Sequence, residues 1–513
     1  MNSNTRENNK RIAKNTLFLY LRMMLLMFVS LFTSREVLAA LGIDDYGIYN
    51  VVGGVVAMFS ILSGAISASI SRFITFELGC NNSFKLKQVF CTSVNIQLIL
   101  SLIILIVGEP LGLWFLYSQM NIPPERLTAA NWVFQCSLLT FIINLISIPY
   151  NAAIIAHEKM PAFAYISIFE AIMKLIIVYF LYVTSNDRLV LYAIFLMIVA
   201  VIQRLIYSIY CKKQFEECSY HLIWDKETFR SMIGFSSWNY VGSIAGLCRS
   251  QGINIVLNIF CGPTVNAARG IANQVNGTVH GFVTNFMAAV NPQITKSYAS
   301  GNTEYMIKLI FTSSKLSFFL LLVLSMPIMI EADTILGIWL KDVPDHTTLF
   351  VQLVLIFAMW EELANPLITA ALAYGSIKKY QVTVGLLNLM NLPISYFFLR
   401  LGYFPEITMI VAILFAHICI FARVVLLRDM INIPVRVYFT EVYLRAWVVF
   451  IISALLALLF HCLLNHGTLQ SLIVMIITTL STCLIVFFIG CNDSEKIFAI
   501  KKIRAVIDKV TNK

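Results

Sequence analysis

Charge is the first scarcity in this sequence. Only 12% of its 513 residues are Asp, Glu, Lys or Arg, about half the quarter usual in a soluble domain. The hydrophobic share is 59% and the mean hydropathy +0.80. A water-soluble globule is excluded, and so is a disordered chain, which needs the opposite balance. Proline and glycine are few, 13 and 23, and they gather in no tract that reads as collagen, low-complexity segment or interdomain linker. Most of the eleven cysteines lie inside apolar runs (Cys91, Cys136, Cys248, Cys419, Cys483), with no C-x-x-C and no His-rich partner. Neither a disulfide framework, a metal site nor a cofactor is expected from them. The longest hydrophilic connection has about 20 residues, and no G-x-x-x-x-G-K-[ST] occurs. A soluble catalytic or ATP-binding domain therefore has no room, and an enzyme is not expected.

What the chain has is long apolar runs. A spanning helix needs about 20 mostly apolar residues, and about fourteen such runs can be laid out: 15 to 40, 46 to 76, 84 to 107, 128 to 156, 161 to 184, 189 to 211, 229 to 260, 265 to 295, 305 to 330, 347 to 373, 378 to 400, 405 to 429, 440 to 464 and 468 to 490. The expected fold class is an all-α polytopic membrane protein. The first run follows Arg6, Lys10, Arg11 and Lys14 like a signal peptide, but it is too long and lacks an A-x-A site, so it reads as an uncleaved first helix.

Lysine and arginine then give an orientation, because cationic loops stay in the cytoplasm. Alternate connections carry 24 of them on the amino-terminal side and four on the other, Arg126, Arg188, Lys341 and Arg400. Both termini are expected inside, and the net charge of +10 is read as topology, with membrane lipids as its partner and no nucleic acid. In the tail 494–513, Ile497, Ile500, Ile503, Val506 and Val510 recur at helical spacing among lysines, as in a helix lying on the inner membrane surface; a plain basic tail is the alternative.

Landmarks recur at a nearly constant offset. Gly42, after the first run, matches Gly262, after the seventh, at 220. Pro149 to Ala156 match Pro366 to Ala373 at 217. Ala193, Ile194 and Arg204 match Ala412, Ile413 and Arg423 at 219. Runs 1 to 6 and 7 to 12 read as two parallel copies of one unit, an arrangement suited to rocking about a midplane site. The expected division is an N-terminal lobe 1–228, a C-terminal lobe 229–435, two further helices in 436–493, and the tail 494–513.

Gly42-Ile43-Asp44-Asp45-Tyr46-Gly47-Ile48-Tyr49-Asn50, Ser71-Arg72-Phe73 with Glu77-Leu78-Gly79, and Asn291-Pro292-Gln293-Ile294 with Lys296-Ser297-Tyr298 and Gly301 resemble the Wzx-type polysaccharide-repeat flippases. These belong to the multidrug/oligosaccharidyl-lipid/polysaccharide (MOP) exporter superfamily. The resemblance covers nearly the whole chain, including a 6 + 6 + 2 arrangement of spans. It implies an inner-membrane protein that turns undecaprenyl-diphosphate-linked oligosaccharides toward the periplasm, for O-antigen, capsule or exopolysaccharide synthesis, where polysaccharide polymerase machinery would be a partner. Arginines on the first, second and eighth helices line the cavity of the related lipid II flippases. The resemblance thus makes Arg35 and Arg72, with Arg269, substrate-binding candidates, by helix only.

Ionisable groups at bilayer depth cost roughly 2.5 to 3.5 kcal/mol each, so they are expected to meet a partner or a wet cavity. Near the midplane lie Glu170 and Lys174, Arg249, Lys315, and Glu361 with Glu362. Glu170 and Lys174 are spaced i, i+4 with the acid first and read as a structural ion pair. In the eighth run Arg269, Asn273, Asn276, His280, Thr284 and Asn291 share one face, too bulky for close packing and better suited to a cavity wall. The seventh run shows Asn239, Ser243, Ser250 and Asn254 in the same way. A stripe of serines at 60, 63, 67 and 71 in the second run reads as a close-packing face. Arg249, Arg269, Asn273 and Asn276 are candidates for a sugar diphosphate, the guanidinium fork for phosphate and the amides for glycan. His280, Lys315, Glu361 and Glu362 are candidates for coupling to H⁺ or Na⁺, a packing or ion-pair role being the alternative for each. Arg22, Arg204 and Arg423 sit nearer span ends, where they can snorkel. Asp44 and Asp45, beside Gly42, read as turn residues rather than a metal pair. The expected function is a flippase for a lipid-linked anionic oligosaccharide. The alternative is a cation-coupled multidrug exporter; a polymerase or ligase would need a large outer loop that is missing.

Overall fold

The computed structural model describes residues 3–57, 60–118, 122–184, 186–340, 342–464, 467–493, 495–497 and 500, and no strand occurs among them. The chain is an all-α polytopic protein. Its first half runs α1 (Ser3–Leu41), α2 (Ile43–Ala57), α3 (Ser60–Gly79), α4 (Ser83–Ser118), α5 (Leu127–Ala156), α6 (Met160–Val183) and α7 (Arg188–Gln214). A 74-residue helical segment, α8 (Lys226–Ala299), follows. Then come α9 (Thr303–Ile330), α10 (Ala332–Trp339), α11 (Thr347–Glu362), α12 (Asn365–Tyr374), α13 (Lys378–Arg400), α14 (Ile407–Ile431), α15 (Val435–Tyr438), α16 (Leu444–Leu463) and α17 (Thr468–Ile485). Among the described residues twelve segments are long and apolar enough to cross a membrane. One of them is α8, which holds the seventh and eighth runs together; the second run is split into α2 and α3. The tail expected to lie on the membrane falls almost wholly outside the described residues.

The chain divides into two compact units. The first takes Met1–Tyr240 and Ala288–Asn302, the second Val241–Met287 and Thr303–Lys513, so both ends of α8 pack in the first unit and its middle in the second.

The break inside α8 is Gly262, with φ 82° and ψ −178°, a conformation essentially closed to residues with a side chain. Gly42, its mate at an offset of 220, joins α1 to α2 with φ +83°. A Cβ at either position would meet nothing within 4 Å, so backbone conformation and not crowding demands glycine at both. Because Gly42 turns the chain in a single residue, α2 begins at Ile43. Asp45 therefore lies in the first turn of a helix, where its negative charge suits the dipole, rather than in the expected loop. It accepts from Arg126 Nε at 2.8 Å, and Arg126 Nη1 reaches Asp187 Oδ2 at 2.7 Å.

In the first unit, α4, α5 and α7 bury Ile104, Val133, Leu145 and Leu189 with Val52 of α2, and α1, α6 and α7 bury Val37, Leu181 and Tyr192. In the second unit α9 is the central helix, packed against α11, α16 and α17. Beside it Trp360 stands within ring-contact distance of Phe318, His417 and Trp447, at 4.9, 4.7 and 4.4 Å. Lipid tails are as apolar as leucine, so such interlocking and not burial from water holds helices together in a bilayer. The outer faces of α16 and α17 expose Leu455, Leu459, Ile476 and Leu480. Replacing Gly262 with Ala should cost about 1 to 3 kcal/mol and lower Tm in detergent, while Gly277→Ala in the helical stretch that follows should not; equal Tm values for the two variants would refute the backbone argument.

Candidate functional site

Gly262 reverses the chain, and the two arms of α8 then meet. Asn266 Nδ2 donates to the Asn254 carbonyl at 3.0 Å, and Arg269 Nη1 donates to the Ser250 carbonyl at 3.3 Å and to Asn254 Oδ1. A cavity of ≈ 200 Å³ opens beside this hairpin within the second unit. Arg249, Ser250 and Asn254 line it from one arm and Arg269, Asn273 and Asn276 from the other. Val354 and Phe357 of α11, Asn391 of α13, and Thr408 and Met409 of α14 complete the wall.

Its polar groups are under-satisfied. Arg269 is only 8% exposed, and no carboxylate lies within ion-pair distance of it among the described residues. Its Nε, the Oδ1 of Asn276 and the Nδ2 of Asn391 are all buried without a hydrogen-bond partner. A buried orphan costs about 1 to 3 kcal/mol, more when charged. Here two donors and one acceptor in a single wall stand ready for a bound group or for water.

Arg249 differs in being paired. Its guanidinium lies 4.9 Å from the ring centre of Phe357 and donates to Glu361 Oε1 at 3.0 Å, so residues one turn apart on α11 supply ring and carboxylate. Pro366 has no N–H to return to Glu362, and the helix is interrupted between α11 and α12. The Leu363 carbonyl, in the same break, accepts from Ser314 Oγ and Tyr438 OH, both at 3.1 Å. Glu362, at the break, is buried; it meets His280 Nε2 at 2.5 Å and accepts from Asn365 Nδ2 at 3.3 Å. Thr284 Oγ1 lies 3.0 Å from His280 Nδ1.

The remaining candidates lie elsewhere. Arg35 is exposed on α1. Arg72 lies over Phe73 and Phe76 of its own helix, at 4.6 Å from each ring centre, and 5.6 Å from that of Phe235. Both belong to the first unit and neither lines this cavity. Lys174 Nζ donates to Glu170 Oε1 at 2.7 Å, and Gln203 Nε2 donates to Glu170 Oε2 at 2.9 Å. Lys315, 2% exposed, donates to Glu495 at 3.0 Å, beyond α17. Sequence reasoning missed Asn391 and Thr408; an amide in the apolar eleventh run was the available signal. It also missed Glu158, a buried residue with φ +58° that receives Arg11 Nε at 2.7 Å, Lys296 Nζ at 2.7 Å and Gln293 Nε2 at 2.6 Å in the first unit. Near it, in the connection after α7, burial works against the charge of Glu217, but the hydrogen bond with His157 prevails and holds its carboxyl below the usual carboxylate range.

Comparison with solved structures assigns the fold. A multidrug-resistance MATE family transporter of the MOP superfamily, solved in an outward-facing conformation, superposes with a TM-score of 0.70 at 15% identity, covering 83% of this chain and 96% of that one. A MOP superfamily transporter from Pyrococcus furiosus, whose binding pocket is described as reversed in polarity and suggestive of a different function, gives 0.67 at 14% identity, covering 84% and 98%. The MATE transporter ClbM in complex with Rb⁺ gives 0.64 at 12%, covering 80% and 94%. The chain has the MATE-type transporter fold of that superfamily. No family model and no curated protein matches the sequence.

The Lys315–Glu495 pair makes a stability prediction. Glu495→Gln strands a buried ammonium and should destabilise by about 3 to 5 kcal/mol, whereas Lys315→Met with Glu495→Gln should recover most of the loss. Thermal unfolding of the purified variants reads this, and a double variant no better than Glu495→Gln alone would show that the pair is not coupled.

Proposed function

We propose that this protein moves an undecaprenyl-diphosphate-linked oligosaccharide across a bacterial inner membrane by alternating access between two lobes. The lobes would be 1–228 and 229–435, with 436–493 as added helices and both termini in the cytoplasm. The observation that carries this reading is Arg269, a buried guanidinium with no carboxylate partner among the described residues, set among amides in the cavity wall. A phosphate diester offers planar oxygen pairs that match a guanidinium fork, and in a low dielectric the attraction is strong enough to offset desolvation only where charges are opposite. At ≈ 200 Å³ the cavity falls below the roughly 300 to 1,000 Å³ of sites that enclose a drug-sized ligand. It suits a phosphate and part of one sugar, the remainder of the repeat unit lying outside it. The flipped unit would pass to polysaccharide polymerase machinery.

A second reading, cation-coupled multidrug export, is favoured by the multidrug-resistance transporter of the same fold. Two guanidiniums in the wall repel a cationic drug, and the Pyrococcus furiosus transporter, described as having a pocket of reversed polarity, suggests that pocket charge varies within this fold. An anionic cargo is therefore preferred, with H⁺ or Na⁺ as the coupling ion through His280, Glu361 or Glu362, and Arg35 and Arg72 as further cargo contacts.

Arg269→Ala should reduce surface glycan at least about tenfold, a loss of roughly 1.4 kcal/mol or more, with membrane levels of the protein unchanged. Arg269→Lys should be intermediate, because an ammonium keeps the charge and loses the fork. Normal glycan from both Arg269→Ala and Arg249→Ala would overturn the reading, and altered efflux of a cationic dye with normal glycan would favour the second.

A further inference from the structure

The cavity wall holds polar groups already engaged and others that are not. Asn254 is occupied at both ends: its Oδ1 takes Arg269 Nη1, and its Nδ2 donates to Gln251 Oε1 at 3.1 Å. The Thr408 hydroxyl donates to the Pro405 carbonyl at 3.0 Å. Asn391 of α13 is 1% exposed and only half engaged. Its Oδ1 accepts from Ser395 Oγ, one turn on, at 3.1 Å, which leaves Nδ2 without a partner. Asn276 of α8 presents the reverse, a buried Oδ1 that no donor reaches.

We infer that these two amides divide the cargo between them: Asn391 Nδ2 joins the arginines on the phosphate, and Asn276 Oδ1 accepts from a hydroxyl or amide N–H on the sugar attached to it. The inference rests on the anionic-cargo reading and narrows it to a phosphate ester that brings its own hydrogen-bond donor.

The two orphan signs call for two kinds of ligand atom. Phosphate oxygens only accept, so they suit Arg249, Arg269 Nε and Asn391 Nδ2. Against Asn276 Oδ1 they would set acceptor on acceptor and leave that buried atom unpaired, which is the costly outcome for a hydrogen-bonding group. A sugar places hydroxyls next to its phosphate, and ≈ 200 Å³ has room for the two together. A site built to receive a hydroxyl rejects an analogue that lacks it, because its own acceptor is then stranded. A glycerophospholipid headgroup offers the same chemistry, phosphate beside hydroxyl, on a flexible chain. The sugar ring holds its hydroxyl in place and so loses less freedom on binding.

The test uses the full-length protein in detergent and three soluble phosphate monoesters, glucose 1-phosphate, glycerol 1-phosphate and methyl phosphate, at a weakly alkaline pH where all three are dianions. Calorimetry reads the affinities. Wild type should bind glucose 1-phosphate about fivefold or more tightly than methyl phosphate, with glycerol 1-phosphate between them. Asn276→Ala should erase that preference. Asn391→Ala should keep it while weakening glucose 1-phosphate and methyl phosphate alike, by about fivefold or more. The wild-type comparison needs no variant, which keeps the test open if either substitution prevents folding. Equal wild-type affinities for glucose 1-phosphate and methyl phosphate, a preference that survives Asn276→Ala, or methyl phosphate binding unmoved by Asn391→Ala would overturn the inference and leave the anion site standing. Glycerol 1-phosphate as tight as glucose 1-phosphate would assign the site to a lipid headgroup and overturn the sugar. No binding of any probe by wild type, with Arg269→Ala indistinguishable from it, would instead remove the cargo reading and this inference together.

Discussion

A buried guanidinium in an apolar helix, with no carboxylate within ion-pair distance among the described residues, constrains everything around it. Arg269 must be solvated by something, and what the fold supplies is partial: the Ser250 carbonyl and the Asn254 side chain take Nη1, and Nε goes without. That arrangement needs the two arms of α8 to lie against each other, which needs a reversal at Gly262, which in turn needs a residue without a side chain at φ 82°. The site is thus traceable to one backbone conformation. The mate of that glycine, Gly42, makes the same kind of turn between the first two helices of the chain.

How the buried acids are paired is as informative as the arginine. Glu361 is committed to Arg249, Glu362 to His280, Glu495 to Lys315, and Glu158 to Arg11 and Lys296. Each pairing keeps a costly buried charge from standing alone. The cavity wall carries Arg249 and Arg269 and no carboxylate among its lining residues, and its unpartnered amide atoms are one acceptor, Asn276 Oδ1, and one donor, Asn391 Nδ2. Its solved neighbours include a multidrug-resistance transporter and one whose pocket is described as reversed in polarity, and fold by itself does not choose a task.

Some of this was legible in the residues as written. The apolar runs announced the helices, and the three-to-four-residue rhythm of Arg269, Asn273 and Asn276 put them on one face, where all three meet the cavity. The spacing of Glu170 and Lys174 announced their contact. Other features were out of reach because they depend on distant segments coming together. Nothing near Lys315 in the chain points to Glu495, 180 residues on. Nothing near Glu158 points to Arg11 or Lys296. Arg35 and Arg72 were singled out by helix number alone, and helix number does not say which way a side chain turns: Arg72 lies over three phenylalanine rings. Asp45 was taken for a turn residue because a glycine on each side suggested a loop, whereas one positive-φ glycine suffices to start α2 immediately after α1.

Composition and periodicity by themselves determined that this chain is a bundle of membrane helices, because the bilayer permits little else to an apolar chain whose backbone must satisfy its own hydrogen bonds. They also determined where the polar faces run, because a helix repeats every 3.6 residues whatever surrounds it. Which cation keeps a counter-charge and which has none among the described residues was decided only by the tertiary structure. Ion pairing in a low dielectric depends on a few ångströms between side chains far apart in the chain, and no local rule of sequence encodes that distance.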